Sequence, residues 1–449
     1  MNDDIAHVNI RWPGMKKARG TQMDCVITKD IRLSPSALQD YSAKLLSGKE
    51  QDLVIVAGAV AYADRMVRRK RARGWARHIE LTIPVSRPAF WNKPETMTPL
   101  LDALEYVSGD QWTIHFVQGP GDTLAKTQTS LDFTLDNYVV LPFSDGLDSF
   151  LQWQLLKKET PEFNILRVHT SSRASNNARN ALIDGHGDKS DQRLAMPISL
   201  AVGAHPEPTY RTRTFLFFVM AALAAHKFKA KKVVIGENGV GMLGPAMIPF
   251  GDECPHRTTH PAFTRRLAAF ISRVLGSRIE FDHPQLFRTK GQVLAHAVRY
   301  GVSGWQKTHS CTRGPRTELD GMPCGVCGGC LLRRTAVHAA GQPDGQYFWN
   351  DLSGETLDDC RANASSREMR PSDIDIGVHG IADMSCFAEL ALPETPSDIF
   401  ERAAWELIGK ADASLADAAK QIKTLATTHA NEWSAFRAKF SKNGFVNAC

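Results

Sequence analysis

Ser144, Asp145, Gly146, Leu147, Asp148 and Ser149 stand between an apolar run at 139–143 and a helical pattern at 150–156. An apolar run followed by such a loop reads as a buried strand feeding a helix. Strand, small-residue loop and helix together aim backbone N–H groups at an anion, most often a phosphate. Ser144 and Ser149 add hydroxyl donors, and the Asp148 carboxylate suits a hard cation such as Mg²⁺. The loop lacks the G-x-x-x-x-G-K-[ST] pattern, so its nucleotide chemistry differs from that of Walker-type enzymes. By itself the pattern is equally that of an ordinary strand–turn–helix corner.

A second group is more specific. Cys311, Cys324, Cys327 and Cys330 have the spacing C-x12-C-x2-C-x2-C, with Gly325, Gly328 and Gly329 among the last three. Four soft thiolates from tight turns form a tetrahedral zinc site, and the glycines let the backbone fold around the metal. An iron–sulfur cluster uses the same four ligands. Four cysteines leave no open position for substrate, so the set reads as structural zinc. Cys25, Cys254, Cys360, Cys386 and Cys449 read as incidental thiols.

These groups need a scaffold, and the chain is long enough for several units. It has 449 residues, 43% hydrophobic and 23% charged, with a formal net charge of +6. Such a balance permits an anionic ligand without demanding nucleic acid. No apolar run is long enough to span a bilayer, and Asp3 and Asp4 stand where a secretory signal would be basic. A cytoplasmic protein without membrane contact is the expectation. Strands are expected at 7–12, 79–85 and 112–117, with helices at 53–69 and 99–106, as an N-terminal α+β domain. From 138 onward strands (138–143, 165–170, 194–200, 232–236) alternate with helices (150–158, 213–228, 263–275). Alternation of this kind implies a parallel sheet covered by helices. Ligands of such sheets bind beyond the carboxyl ends of the strands, where 144–149 lie. A turn is expected at 393–397, then one or two helices over 403–440.

The loop and the cysteines together resemble one family. Residues 144–149 are similar to the S-G-G-x-D-S loop of the PP-loop ATP pyrophosphatases. Ser310-Cys311-Thr312, with the segment from Cys324 to Arg333, resembles the zinc element of the 7-cyano-7-deazaguanine synthases, QueC. Arg211-Thr212-Arg213-Thr214-Phe215-Leu216 resembles that family's R-N-x-x-F-L helix start, and Thr289-Lys290-Gly291-Gln292 its T-K-x-E segment. The likeness runs over about 137–340. It implies an α/β fold with an adenine nucleotide alpha hydrolase-like parallel core at 136–345. The flanks would be an α+β domain at 1–135 and a mostly helical extension at 346–449. With those flanks, the layout is most similar to the QueC-like proteins of the Qat anti-phage system.

The resemblance implies that ATP adenylates a carboxylate, a 7-deazaguanine, with release of pyrophosphate, and that an amine then takes the acyl group. ATP, Mg²⁺ and structural zinc are the implied cofactors, and proteins of a defence operon the implied partners. Residues 144–149 would cradle ATP, with Asp148, Lys290 and Arg211 in catalytic roles. Asp145 departs from the family's glycine; aspartate tolerates the left-handed conformation such a turn needs, but its charge would face the nucleotide. Thr212 replaces an asparagine, and a family segment, D-Y/F-S-G-Y-P-D-C, is absent, with 239–261 in its place. His256, Arg257 and His260 there are candidates for acid–base or adenylate contacts, and Glu237 for a purine edge; each also reads as structural. The basic run 65–77 reads first as a solvated helix end or a docking face for an acidic partner, and second as a nucleic-acid surface. A housekeeping synthase and an inactive nucleotide-binding scaffold remain alternatives at this point.

Overall fold

A computed structural model of the chain describes residues 5–17, 20–33, 46, 48–70, 72, 74–121, 137–170, 191–196, 198–201, 205–248, 253–313, 319, 321–362, 367–409 and 414–448. The described chain divides into two compact units. One holds residues 1–144, 159–235 and 249–283; the other holds 145–158, 236–248 and 284–449.

The first unit carries both large sheets. Strands β1 (Ile5–Arg11), β2 (Met23–Val26), β4 (His78–Val85) and β5 (Gln111–Gln118) form a sheet in the order β2-β1-β4-β5. Every pair in it is parallel. The N-terminal segment is therefore α/β in its pairing, where α+β was expected. Ile79, Leu81 and Ile83 of β4 point inward and are buried, alternating with half-buried His78, Glu80 and Thr82, the signature of a sheet with one buried face. Strands β6 (Tyr138–Pro142), β7 (Asn164–His169), β8 (Asp191–Ala195), β10 (Val233–Val234) and β11 (Phe281–Asp282) make the second sheet, ordered β11-β10-β6-β7-β8 and also parallel. Tyr138 to Leu141 are all buried, as a central parallel strand requires. The strand expected over 194–200 is two, β8 and β9 (Ile198–Leu200). The latter pairs antiparallel with β3 (Ile31–Leu33).

Helices α1 (Gly48–Met66), α2 (Pro94–Ser108), α4 (Arg213–Lys227) and α6 (Pro261–Leu275) belong to this unit. α1 is buried on nearly all sides, so it reads as apolar without a polar face. α2 starts five residues before the expected 99 because Pro94 takes the first helical position, where its missing N–H costs nothing. One apolar core joins Val8, Leu81 and Leu104 to Val140, Leu216 and Phe270. The boundary expected at 135 lies outside the described residues, and the segments on either side of it share this core.

The second unit is helical: α3 (Leu147–Glu159), α5 (Gly239–Met247), α7 (Lys290–Arg299), α8 (Gly328–Ala339), α9 (Pro371–Glu389), α10 (Ser397–Ile408) and α11 (Ser414–Arg437). Ile381, Met384, Trp433 and Phe436 of α9 and α11 pack in one apolar cluster with the four cysteines. Among the described residues, no helix is long and apolar enough to cross a membrane.

Candidate functional site

Helix α3 begins at Leu147, and its first bond runs from the Phe150 N–H to the Gly146 carbonyl at 3.1 Å. A helix's first-turn amides have no acceptor inside the helix and carry the positive end of its dipole. Asp145 adopts φ +59°, the left-handed region, and its carbonyl accepts from the His309 N–H at 3.2 Å. The turn thus keeps the backbone conformation for which glycine is favoured. The Ser149 hydroxyl donates to the Gly146 carbonyl at 3.1 Å and tightens the same turn. Ser144 is exposed.

Asp148 is the hub of this unit's polar cluster. Its Oδ2 accepts from Lys290 Nζ at 2.7 Å and its Oδ1 from Asn238 Nδ2 at 3.0 Å. Lys290 is the first residue of α7, held by a capping box in which Thr289 and Gln292 bond each other's backbone N–H. Asn238 caps α5 by accepting from the Gly241 N–H at 3.1 Å, and its amide also donates to Glu237 Oε1 at 2.7 Å. Two helix starts and one strand–helix loop therefore converge on one ammonium and two carboxylates. Burial pushes the Glu237 carboxyl up to about 7, with the Asp148 charge adding to the rise and Lys290 opposing it. Burial pulls the Lys290 pKa down, but Asp148 and Glu237 more than offset this and it is raised. Arg333 also weighs on Lys290; it is buried and donates to the Thr308 carbonyl and hydroxyl at 3.0 and 2.8 Å. The structure brings Asp148 and Lys290 together. Asn238 and Arg333 were not singled out: Asn238 sits in no motif, and Arg333 stood only as the last residue of the zinc-element segment, where its proximity to Lys290 does not show.

Arg211 lies in the first unit. It is 4% exposed and donates through Nη2 to Glu253 at 3.1 Å. Its Nε and Nη1 are buried without a hydrogen-bond partner among the described residues. Buried donors left open in this way suit an anionic ligand. Its guanidinium lies 4.8 Å from the Trp75 ring centre, and that of Arg69 lies 4.0 Å from it. The helix that follows Arg211 is held by Asp64 of α1, which accepts from the Thr212 N–H and hydroxyl at 2.7 and 2.8 Å.

Two members of the basic run are buried rather than on a surface. Arg69 and Arg77 are buried and both grip Asp110, at 2.5 and 2.9 Å from Arg69 and at 2.6 and 3.2 Å from Arg77. Arg77 also reaches Asp64 at 2.6 Å. Burial would raise the Asp110 carboxyl, yet the two guanidinium groups hold it below its usual range. Among the described basic residues of the run, Arg68 and Lys70 are exposed. Of the loop candidates, His260 is buried and caps α6 by accepting from the Ala262 N–H at 3.2 Å, a structural role. Arg257 lies over the Tyr106 ring at 4.8 Å. His256 is exposed beside Thr258.

The four cysteines form a second centre, in the second unit. Cys311, Cys324, Cys327 and Cys330 are buried, and their sulfurs all lie within 4.8 Å of one another; those of Cys324 and Cys330 are 3.8 Å apart. Zinc–sulfur bonds of ~2.3 Å in a tetrahedron place sulfurs about 3.8 Å apart, so the group fits zinc. The Cys324 and Cys327 N–H groups point at Cys311 and Cys324 sulfur at 3.5 and 3.4 Å. Gly325 sits at φ +92°, and a Cβ there would come within 2.3 Å of the Trp349 carbonyl. Only glycine meets both demands.

Comparison with known proteins adds a family. Residues 190–341 match the model described as queuosine biosynthesis protein QueC, a stretch that holds Arg211, Lys290 and the four cysteines but not the 144–149 loop. Proteins named 7-cyano-7-deazaguanine synthase are similar. That of Cupriavidus pinatubonensis is 27% identical over 162 residues, 36% of this chain and 66% of the relative. That of Acinetobacter baylyi is 30% identical over 156 residues, 34% of this chain and 62% of the relative. The chain thus spans less than two thirds of the length of the relatives it matches. The parallel sheets and their covering helices make the chain an α/β protein, and over residues 190–341 it is similar to the QueC family.

Proposed function

We propose that the protein is an ATP-dependent enzyme that adenylates a carboxylate, a 7-deazaguanine, and passes the acyl group to an amine, as an AMP-forming ligase of an anti-phage system. The observation that carries this reading is the convergence of Lys290, Asp148 and the start of α3 within a QueC-like chain. A substrate carboxylate oxygen attacks the α-phosphorus of ATP, the bond to the bridging oxygen breaks, and pyrophosphate leaves. The amine then attacks the acyl carbon, AMP leaves, and an amide and a proton result. Charge accumulates on the phosphates in the first step, and preorganised donors lower its barrier. The 144–149 backbone and Lys290 supply such donors. Asp148 and Glu237 offer the oxygen ligands that Mg²⁺ prefers; when bound, that ion neutralises phosphate charge. Arg211 offers two buried N–H donors for an anionic group of either substrate. The cysteine set has no open position, so zinc there holds structure.

The chain's likeness to synthases named for 7-cyano-7-deazaguanine supports a deazapurine substrate. The long segments outside residues 190–341 favour an acceptor amine on a partner protein over free ammonia, and a role in defence. The test incubates the protein with ATP, Mg²⁺ and 7-carboxy-7-deazaguanine, with and without co-encoded proteins. AMP release and a mass shift on a protein are expected. Nitrile formation from ammonia would instead make it a housekeeping synthase, and no AMP with any carboxylate would refute the enzyme reading.

A further inference from the structure

The C-terminal helix contributes one carboxylate to the start of the helix that bears Lys290. Glu432 of α11 accepts from the Thr289 hydroxyl at 2.6 Å. Thr289 is the N-cap of α7, and its oxygen accepts from the Gln292 N–H at 3.0 Å. A hydroxyl has one proton to give. With its lone pair committed to the cap, Thr289 directs that proton to Glu432, which fixes the rotamer the cap requires. Contact is close on the neighbouring turn as well: a Cβ on Gly291 would lie 2.6 Å from Glu432 Oε1 and 2.9 Å from Ala339 Cβ. Lys290, between these two residues, holds Asp148 at 2.7 Å. Burial pushes the Glu432 carboxyl up to about 7, with the Thr289 hydroxyl pulling the other way. Holding a carboxylate in that place works against its own solvation. Glu432 also lies outside the stretch that matches the QueC model.

We propose that Glu432 is a positioning residue for Lys290, so that the C-terminal helix completes the nucleotide site rather than merely covering it. The inference rests on Lys290 meeting the phosphates of ATP. A glutamate that acts in this way changes ATP use through Lys290, whereas one that only packs changes folding.

The experiment compares full-length wild type with Glu432→Ala, Glu432→Gln, Thr289→Val, Lys290→Met and the Glu432→Ala/Lys290→Met double variant. KM for ATP, kcat for AMP release and thermal midpoint are measured for each. Glu432→Ala and Thr289→Val should each raise KM for ATP by about tenfold, the size of one modest hydrogen bond. Glu432→Gln, whose amide oxygen still accepts from Thr289, should recover most of that loss. In the Lys290→Met background Glu432→Ala should change KM no further, as coupled residues do. A KM in Glu432→Ala within twofold of wild type, or an equal loss with and without Lys290, would overturn the inference. Should wild type release no AMP, the proposed reaction fails; ATP affinities of the same variants by equilibrium dialysis then decide the Glu432 question. No ATP binding by wild type would overturn both.

Discussion

Replacing Glu237 with glutamine tests the electrostatics of the Asp148 cluster without any assumption about substrate. In the folded protein the Glu237 carboxyl titrates at about 7, against an ordinary value of 4.5, through burial first and Asp148 second. A carboxyl raised in this way keeps its proton when folded and loses it more readily when unfolded. Its effect on stability is therefore neutral below about pH 4.5, turns unfavourable as pH rises to about 7, and stays constant above. The shift, 7 less 4.5, would correspond to about 3 kcal/mol at ~1.4 kcal/mol for each pH unit. Solvent reaches part of the Glu237 side chain, and screening reduces the figure to about 1–2 kcal/mol. Glutamine is neutral throughout and keeps an oxygen for Asn238. Glu237→Gln should therefore match wild type at pH 5 and exceed it at pH 8.5 by about 1–2 kcal/mol, or ~1–2 °C in thermal midpoint. Calorimetric scans of both proteins from pH 5 to 8.5 provide the comparison. Parallel stability curves, or a variant that loses ground as pH rises, would refute this picture of the cluster.

Four further outcomes follow from the geometry. Lys290→Met should weaken ATP binding by about 10–100-fold, the range of a lost charge-assisted bond, as read by calorimetric titration. Cys327→Ser should abolish a stoichiometry of one zinc per chain, measured by elemental analysis, and lower the thermal midpoint, since a structural metal contributes to folding directly. Asp110→Asn should cost about 3–5 kcal/mol in urea unfolding, because Arg69 and Arg77 would remain buried with less negative charge. Asp110 is a depressed carboxylate, so its contribution is complete above about pH 4 and is lost as pH falls through its lower folded value. Asp145→Gly should keep the +59° turn and bind ATP at least as well as wild type, while Asp145→Val should cost about 1–2 kcal/mol in stability; tighter binding by the valine variant would contradict the role given to this turn.

What was legible in the sequence was local. The strand–loop–helix at 138–159 and the four cysteines each lie in short windows where pattern and spacing carry the chemistry, and both are assembled in the structure. The left-handed turn at Asp145 was anticipated from the side chain's tolerance. The burial of Arg69 and Arg77 within the basic run was not legible because charge composition is silent about burial: Asp110 lies 41 residues from Arg69 and 33 from Arg77. Asp64 and Thr212 are separated by 148 residues, Glu432 and Thr289 by 143. No periodicity or motif links such pairs, since only tertiary packing brings them together. The strands β2 and β3, four and three residues long, are too short for alternation to register.

These distant pairs bear on what the flanking segments do. A helix start is a weak point, with amides unsatisfied by the helix itself, and a cation there is only as well placed as its cap. In the first unit Thr212, at the helix start beside Arg211, is held by Asp64, which Arg77 holds in turn while also gripping Asp110. In the second unit the Thr289 cap beside Lys290 is held by Glu432. Asp64 precedes the QueC-like stretch and Glu432 follows it. Each flank thus supplies a carboxylate to a threonine adjoining a candidate phosphate or substrate cation, and each shares an apolar core with part of that stretch. Cutting the chain to residues 190–341 would expose those cores and free both caps. The segments beyond the stretch are therefore part of the machinery that holds its cations, and an isolated fragment should not fold as the full chain does.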